Sequence, residues 1–296
     1  MGSLIQGFGR RDKVSALLKK WSYIPWQVRL SMILVIFLFI VIVFADWIMP
    51  YNPNSTKLLD NNTPPVFLNG SWEHVLGTDQ LGRDLMSRII YGMKTSFSIA
   101  AVGLVIGCIV GVAAGLISGY VGGWVDKLIM ALVDFQFAVP YTLILLMGIV
   151  IFGTDTIVLI ILIGLANWEN YARVVRGLVL SLRENQYIEA AQTSGGSALY
   201  IMTKHIFPNI LPTILVMMTL YFPSVLTMES SLSFLGIGIQ PPTASLGRMV
   251  GEGRNYLMTS WWISIVPSLL IVLMAMLMQT IGDWFRDRMN ISNNME

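Results

Sequence analysis

Six long apolar stretches interrupt this chain, and they restrict it to folds that lie in a lipid bilayer. A membrane-spanning helix needs about 20 mostly apolar residues, and five of the six stretches meet that length. The fourth stretch does so only if its helix continues through Asn167 and Glu169. The stretches cover residues 30–49, 94–126, 128–153, 156–168, 206–235 and 256–281.

These spans are predicted to be helices, because backbone polar groups must be satisfied within the hydrocarbon and no alternating pattern typical of barrel strands is present. Hydrophobic residues make up 55% of the chain and charged residues 12%, which is too little polar surface for a soluble globule. A net charge of +2 gives no support for a nucleic-acid partner, and the single Cys108 excludes both an internal disulfide and a thiolate metal cluster. We therefore predict an all-α polytopic membrane protein.

The distribution of basic residues predicts the orientation. The first apolar run exceeds the usual length of a secretory signal, so we expect a retained helix preceded by a basic cytoplasmic segment at 1–29. The loops then alternate sides, the spans occupy 30–288, and residues 289–296 form a cytoplasmic tail. Both termini lie inside, in agreement with the positive-inside rule. Of the 19 Lys and Arg residues, those predicted outside are Lys57, Arg83, Arg88, Lys94, Arg248 and Arg254.

Small residues and prolines predict how the helices pack and bend. Glycines four residues apart share nearly one face of the second span, so a neighbouring backbone can approach that face closely. These are Gly103, Gly107, Gly111, Gly115 and Gly119. Pro140, Pro223 and Pro267 lie inside predicted spans, where each removes a backbone donor and favours a bend.

Two carboxylates fall within the spans, where an unpaired charge costs about 2.5–3.5 kcal/mol on insertion scales. Asp134 lies near the cytoplasmic end, and we expect it to be paired or to reach the interface. Glu229 lies in a polar run with Ser230 and Ser231. That run is either partnered inside the bundle or part of the wall that a solute contacts.

A predicted cytoplasmic segment at 184–197 forms a short helix that ends at two glycines. Residues up to Thr193 favour helix, Gly195 and Gly196 supply the stop, and Ser197 is placed to cap the helix that leads into the fifth span. Such a rigid, exposed element between two spans is able to pass a push from a soluble partner to the membrane helices. It is equally able to serve as a plain connector.

Three blocks of sequence resemble binding-protein-dependent ABC transporter permeases. Glu189-Ala190-Ala191, Gly195 and the later Pro208 resemble the EAA loop of that family, here at about 181–208, although His205 and Phe207 replace its usual aliphatic residue and Leu. The blocks at 76–92 and 233–267 resemble the "C" subunits of dipeptide and oligopeptide permeases.

The resemblance implies a type I ABC importer permease fold in the bacterial cytoplasmic membrane. Glu189, Ala190, Ala191 and Gly195 would then dock on an ATPase. The implied partners are a homologous second permease, two ATP-binding subunits that carry ATP and Mg²⁺, and an extracytoplasmic solute-binding protein. No cofactor or metal would be bound by this chain. The implied solutes are di- or oligopeptides, with nickel, metal chelates or glutathione as alternatives.

Other function classes fit the sequence less well. The chain has no G-x-x-x-x-G-K-[ST] loop, so it is not itself the ATPase. An intramembrane hydrolase needs a nucleophile and a base at membrane depth, but His74 and His205 fall on opposite faces. An ion-coupled secondary carrier is the stronger alternative, although such carriers enclose their path by internal repeats that are not visible here. A purely structural membrane subunit is the third possibility.

The outer block contains three charged residues, Asp79, Arg83 and Asp84, for which two roles are open. They pair with one another on an exposed turn, where ion pairs contribute little, or they contact the binding protein or the partner permease.

The predicted topology is testable with reporter fusions. Fusions after Arg183 and after Asp287 are expected to report a cytoplasmic position, and one after Arg254 an external position, because the loops alternate sides. Paired alkaline phosphatase and fluorescent-protein reporters distinguish the two sides. A reversal at any of the three sites contradicts the six-helix arrangement.

Overall fold

The protein is a bundle of long helices, as seen in a computed structural model that describes residues 24–293. Within that range the extended structure consists of one bridge between Thr78 and Asp84. The predicted cytoplasmic assignments of residues 1–23 and 294–296 lie outside the described residues. In chain order the helices are α1 (Trp26–Val43), α2 (Ala45–Ile48), α3 (Leu85–Val121), α4 (Gly123–Ala138), α5 (Tyr141–Phe152), α6 (Thr156–Leu165), α7 (Trp168–Arg183), α8 (Gln186–Thr193), α9 (Ala198–Ile201), α10 (Phe207–Phe234), α11 (Leu246–Gly253) and α12 (Trp262–Asn293).

Five helical segments in the described chain are long and apolar enough to cross a membrane, and a bent pair supplies the sixth. α3 begins at Leu85 because Asp84 caps it, accepting a 2.8 Å hydrogen bond from the Ser87 amide. α6 and α7 together form a span of 28 residues, as the fourth stretch required. The prediction of six spans is confirmed.

The third predicted span is broken in the middle. α4 and α5 meet at an angle of 95° at the Val139–Pro140 step. Proline has no amide hydrogen to continue the helix, and it drives the preceding Val139 into the extended backbone that is observed. Pro223 and Pro267, in contrast, lie within continuous helices α10 and α12.

The glycine-bearing face of α3 packs directly against α6 and α7. A Cβ atom at Gly107 would lie 2.7 Å from the Gly164 carbonyl oxygen, and one at Gly111 would lie 2.2 Å from the Trp168 carbonyl oxygen. Gly115 meets the Ala172 carbonyl in the same way. The predicted close approach of a neighbouring backbone is therefore confirmed, and its partner is the α6–α7 span.

The connections between spans gather at two ends of the bundle. One end, called outer here, holds the segment between α2 and α3 together with α11; the Trp262 indole donates a hydrogen bond to the Thr78 carbonyl at 3.3 Å. The other end, called inner, holds α8 beside the last turn of α3, where Arg183 donates to the Tyr120 carbonyl at 3.1 Å. This grouping matches loops that alternate between two sides.

The α3 interface predicts a sharp difference between two glycines. Gly111→Ala is expected to destabilise the protein by about 1–3 kcal/mol, because the new methyl group has no space beside α7. The matched control is Gly177→Ala on α7, where a Cβ atom meets nothing within 4 Å, and it is expected to be neutral or slightly stabilising. Thermal unfolding in detergent measures both, and equal Tm values for the two variants would contradict this packing.

Candidate functional site

Helix α8 ends in a tight glycine turn at the inner end of the bundle. The Gly196 amide donates to the Ala191 carbonyl and the Gly195 amide to the Gln192 carbonyl, each at 3.0 Å. Gly195 adopts a φ of +83°, which residues with a side chain rarely tolerate. Ser197 then accepts a hydrogen bond from the Tyr200 amide and caps α9. The predicted helix, stop and cap are all present.

One face of α8 anchors it and the other is free. Ile188 is fully buried, whereas Glu189 and Ala190 are exposed and Ala191 is half-buried. Within residues 24–293 the Glu189 carboxylate makes no hydrogen bond or ion pair. The four residues predicted to dock on an ATPase therefore lie together on a short surface helix and its terminal turn. The docking itself stays a prediction.

Contacts to two long helices attach α8 to the bundle. The Gln192 side-chain amide reaches the Tyr120 hydroxyl of α3 at 3.5 Å, and the Arg183 guanidinium lies 6.0 Å from the Tyr120 ring centre. On the opposite side, Tyr187 contacts Asn209 of α10 at 3.5 Å. Between α9 and α10 the backbone forms a π-helical turn at Met202–Ile206, a local widening that often marks functional positions in helices.

Ion pairs also hold α4 beside α7 near the inner end. Asp134 accepts a hydrogen bond from Arg173 at 2.6 Å, so it is paired, which is one of the two outcomes predicted for it. Asp126 receives two donors from Arg176 and one from Ser118. These contacts connect the first half of the bent span to the same α7 helix that α3 packs against.

The Glu229 carboxylate is fully buried on α10 and is surrounded by serine hydroxyls. Ser233 donates to it at 2.8 Å, and the hydroxyls of Ser96 and Ser245 also face it. Each of these serines in turn accepts a hydrogen bond from a backbone amide of residues 235–261, the segment between α10 and α12 that we call the outer connection. Ile239 donates to Ser233, Leu246 to Ser96 and Arg248 to Ser245. The carboxylate thus organises the link between α10, α3 and α11.

A cavity of about 390 Å³ opens beside this cluster, between α10, α11 and α12. Its wall is mostly apolar, with hydroxyls from Thr227, Ser230, Ser231 and Ser268. The predicted solute residues are therefore separated by the structure: Ser230 and Ser231 line the cavity, whereas Glu229 lies behind it. Their contact with a solute stays a prediction.

Five charged residues form what we call the outer ion network: Asp79, Arg83, Arg88, Arg248 and Glu252. Asp79 accepts a hydrogen bond from Arg83 Nε at 2.6 Å and forms an ion pair with Arg88 Nε at 3.3 Å. Glu252 accepts from Arg83 at 3.1 Å, Arg88 at 3.0 Å and Arg248 at 3.0 Å. The network ties the segment before α3 to α11.

The sequence did not predict that the charged side chains at the outer end are buried. Asp79 and Arg83 pair with each other as one of the two roles predicted, whereas Asp84 pairs with neither, and all three side chains are buried and not on an exposed turn. Asp84 accepts a bond from the Ser87 hydroxyl at 2.7 Å and contacts His74 Nδ1 at 2.9 Å. Their contact with a partner protein stays a prediction.

Glu252 was not singled out from the sequence, although it joins three arginines. The available signal was its spacing of four from Arg248 on α11, which places the two side chains on one helix face. Its bonds to Arg83 and Arg88 join residues more than 160 positions apart and have no local signature. Among the described residues, no group of three His, Cys, Asp or Glu side chains is arranged to hold a metal ion.

Comparison with known families gives two matches. Residues 111–291 match the family described as binding-protein-dependent transport system inner membrane component. Residues 29–65 match the N-terminal transmembrane domain of oligopeptide transport permease C.

Individual relatives cover most of the chain. A di/tripeptide transport system permease protein of Pseudomonas aeruginosa is 34% identical over 262 residues, which is 88% of this chain and 86% of the relative. A nickel transport system permease protein of Escherichia coli K12 is 31% identical over 265 residues, or 90% of this chain and 94% of the relative.

A solved structure shares the fold. Inward-facing conformations of the methionine ABC transporter MetNI include a chain that aligns with a TM-score of 0.56 at 18% identity, covering 69% of this chain and 97% of that one.

The outer ion network predicts unequal effects for two Glu→Gln changes. Glu252→Gln is expected to destabilise the protein by about 3 kcal/mol, because three clustered arginines are then balanced by the single carboxylate of Asp79. The control Glu73→Gln removes the same charge from an exposed 3.8 Å pair with Lys57 and is expected to have no measurable effect. Thermal unfolding of the purified chain reports both, and a wild-type Tm for Glu252→Gln would show that the network contributes nothing to stability.

Proposed function

This chain belongs to the family of binding-protein-dependent transport-system inner-membrane components, and we propose that it forms half of the path by which an ATP-driven importer moves di- or oligopeptides into the cell. Family membership makes it a multi-pass permease subunit of the cytoplasmic membrane. The peptide substrate is supported by the match to an oligopeptide permease domain and by the identity to a di/tripeptide permease.

The observation that carries the mechanism is a surface helix, α8, that is joined to the two long helices α3 and α10. A push on the exposed face of α8 reaches α3 through Tyr120 and α10 through Asn209. α3 has 37 residues, or roughly 55 Å at the α-helical rise. It therefore carries motion from the inner end to Ser96, Arg88 and the outer connection.

In this proposal, each partner protein binds or completes a surface that this chain supplies only in part. A homologous second permease closes the cavity that α10, α11 and α12 line from one side. Two ATP-binding subunits hold ATP and Mg²⁺; one of them docks on Glu189, Ala190, Ala191 and Gly195 and moves α8 when the two close. A solute-binding protein or the second permease docks on the outer segment, which exposes the apolar side chains Leu59 and Trp72 and also contains the buried Asp79, Arg83 and Asp84.

A nickel solute is the alternative within the same class, because a nickel permease is nearly as similar. The cavity wall favours a peptide, since hydroxyl and apolar side chains suit amide groups and aliphatic side chains better than a divalent cation, which prefers imidazole, thiolate or carboxylate. Metal chelates and glutathione remain within the same transporter class. An ion-coupled carrier would need no ATPase contact at α8.

Coupling is tested by changing the exposed face of α8. Glu189→Lys and Gly195→Trp are expected to reduce ATP-driven uptake at least tenfold, because one reverses the charge at the docking face and the other cannot adopt the left-handed turn at Gly195. Uptake of radiolabelled trialanine by the complete transporter in proteoliposomes is the measurement, with immunoblots to verify insertion.

The control is Asp287→Lys, the same charge reversal on an exposed residue of α12, which is expected to leave uptake unchanged. Wild-type uptake in both α8 variants would refute the coupling role. Uptake by this chain alone, driven by an ion gradient without nucleotide, would instead establish the carrier alternative. Import of Ni²⁺ and not of trialanine would assign the other substrate.

A further inference from the structure

A polar pocket lies at the outer end of the bundle, where α10 ends and α11 passes over it. It has a volume of about 180 Å³, and its polar lining comes from Ser233, Arg248, Glu252 and Arg254. Gly236, with a φ of +85°, turns the chain at its edge. Neither the family matches nor the predicted site residues assign a role to this pocket.

The charges around this pocket do not balance. The outer ion network behind it contains three arginines and two carboxylates, which leaves one positive charge. Arg88 is almost completely buried and its Nη1 has no acceptor. Arg254 adds a second positive charge at the pocket. The Glu229 carboxylate lies nearby but is engaged by its serine cluster.

The Arg254 guanidinium, unlike that of Arg248, is available to bind a ligand. Arg248 donates to Glu252 and to the Ile239 carbonyl, at 3.0 and 3.1 Å. Arg254 is exposed in the turn after α11 and makes no hydrogen bond or ion pair to residues 24–293. A planar guanidinium with unused donors binds a carboxylate through two parallel bonds.

The pocket also adjoins the cavity assigned above to the solute path. Phe234 and Leu235 line both spaces. A molecule held at the pocket by an anionic group can therefore extend apolar parts toward the hydroxyl-lined wall. A peptide has this combination, because its C-terminal carboxylate is preceded by amide groups and aliphatic side chains.

We propose that this pocket is an entry subsite that takes the C-terminal carboxylate of an incoming peptide, with Arg254 as its main contact. The subsite rests on the proposed peptide-import function and adds a specificity-determining residue to it. The same oxyanion chemistry is offered by the phosphate of an outer-leaflet lipid, so the test must separate the two sources.

The experiment uses the complete transporter with its binding protein in proteoliposomes, and trialanine and trialanine amide as probes. Binding of each peptide to the isolated binding protein is measured separately, and uptake is recorded with that protein saturated. Arg254→Gln is expected to lower the maximal uptake rate of trialanine about tenfold, the loss of one charge-assisted contact. Arg254→Lys should fall between Arg254→Gln and the wild type, because Lys keeps the charge but cannot form the two parallel bonds. The Gln variant should leave the amide rate at its wild-type value.

The matched control is Lys94→Gln, which removes another cation of the outer end, paired with Asp46 and outside the lining of the pocket, and should change neither rate. Equal loss of both peptides in Arg254→Gln, or no loss of either, overturns the subsite while leaving peptide import intact. A trialanine defect that disappears in liposomes without anionic lipids assigns Arg254 to a lipid headgroup and also overturns it. Import of neither peptide by the wild type overturns the proposed function and the subsite with it.

Discussion

Close contact between the backbone of α3 and the α6–α7 span is the interaction on which the rest of this structure depends. In lipid, helices gain little from burying apolar side chains, so their association relies on close packing. Glycines at steps of four bring α3 against carbonyl groups of α6 and α7. That contact fixes the long helix whose inner end meets α8 and whose outer end carries Ser96 and Arg88.

Buried polar groups attach the outer connection to the helix bundle. Glu229 organises three serines that each accept a backbone amide, and Glu252 joins arginines from α3, α11 and the segment before α3. Glu229 accepts hydrogen bonds from the serines that hold the loop amides, and Glu252 accepts hydrogen bonds directly from the guanidinium groups. In the proposed coupling, a push at α8 would reach an outer end whose parts are joined by these bonds.

Local signals in the sequence predicted the local features well. Span number, the glycine face, the stop at Gly195 and the cap at Ser197 follow from short-range chemistry, and each is observed. The network around Glu252 was not predictable in the same way, because its partners are distant in sequence and brought together only by helix packing. The same holds for the burial of Asp79, for which the sequence left open an exposed ion pair or a partner contact, and for the size of the bend at Pro140.

The cavity hydroxyls have one further property, which concerns selectivity. Thr227, Ser231 and Ser268 each donate their proton to a carbonyl four residues earlier in their own helix, at 2.8 Å. In the proposed peptide path, their lone pairs are what remains for a passing molecule, so the wall would accept amide protons without requiring any fixed partner. Such a lining offers no deep energy minimum, and it would let cargo of varied sequence slide past without being retained.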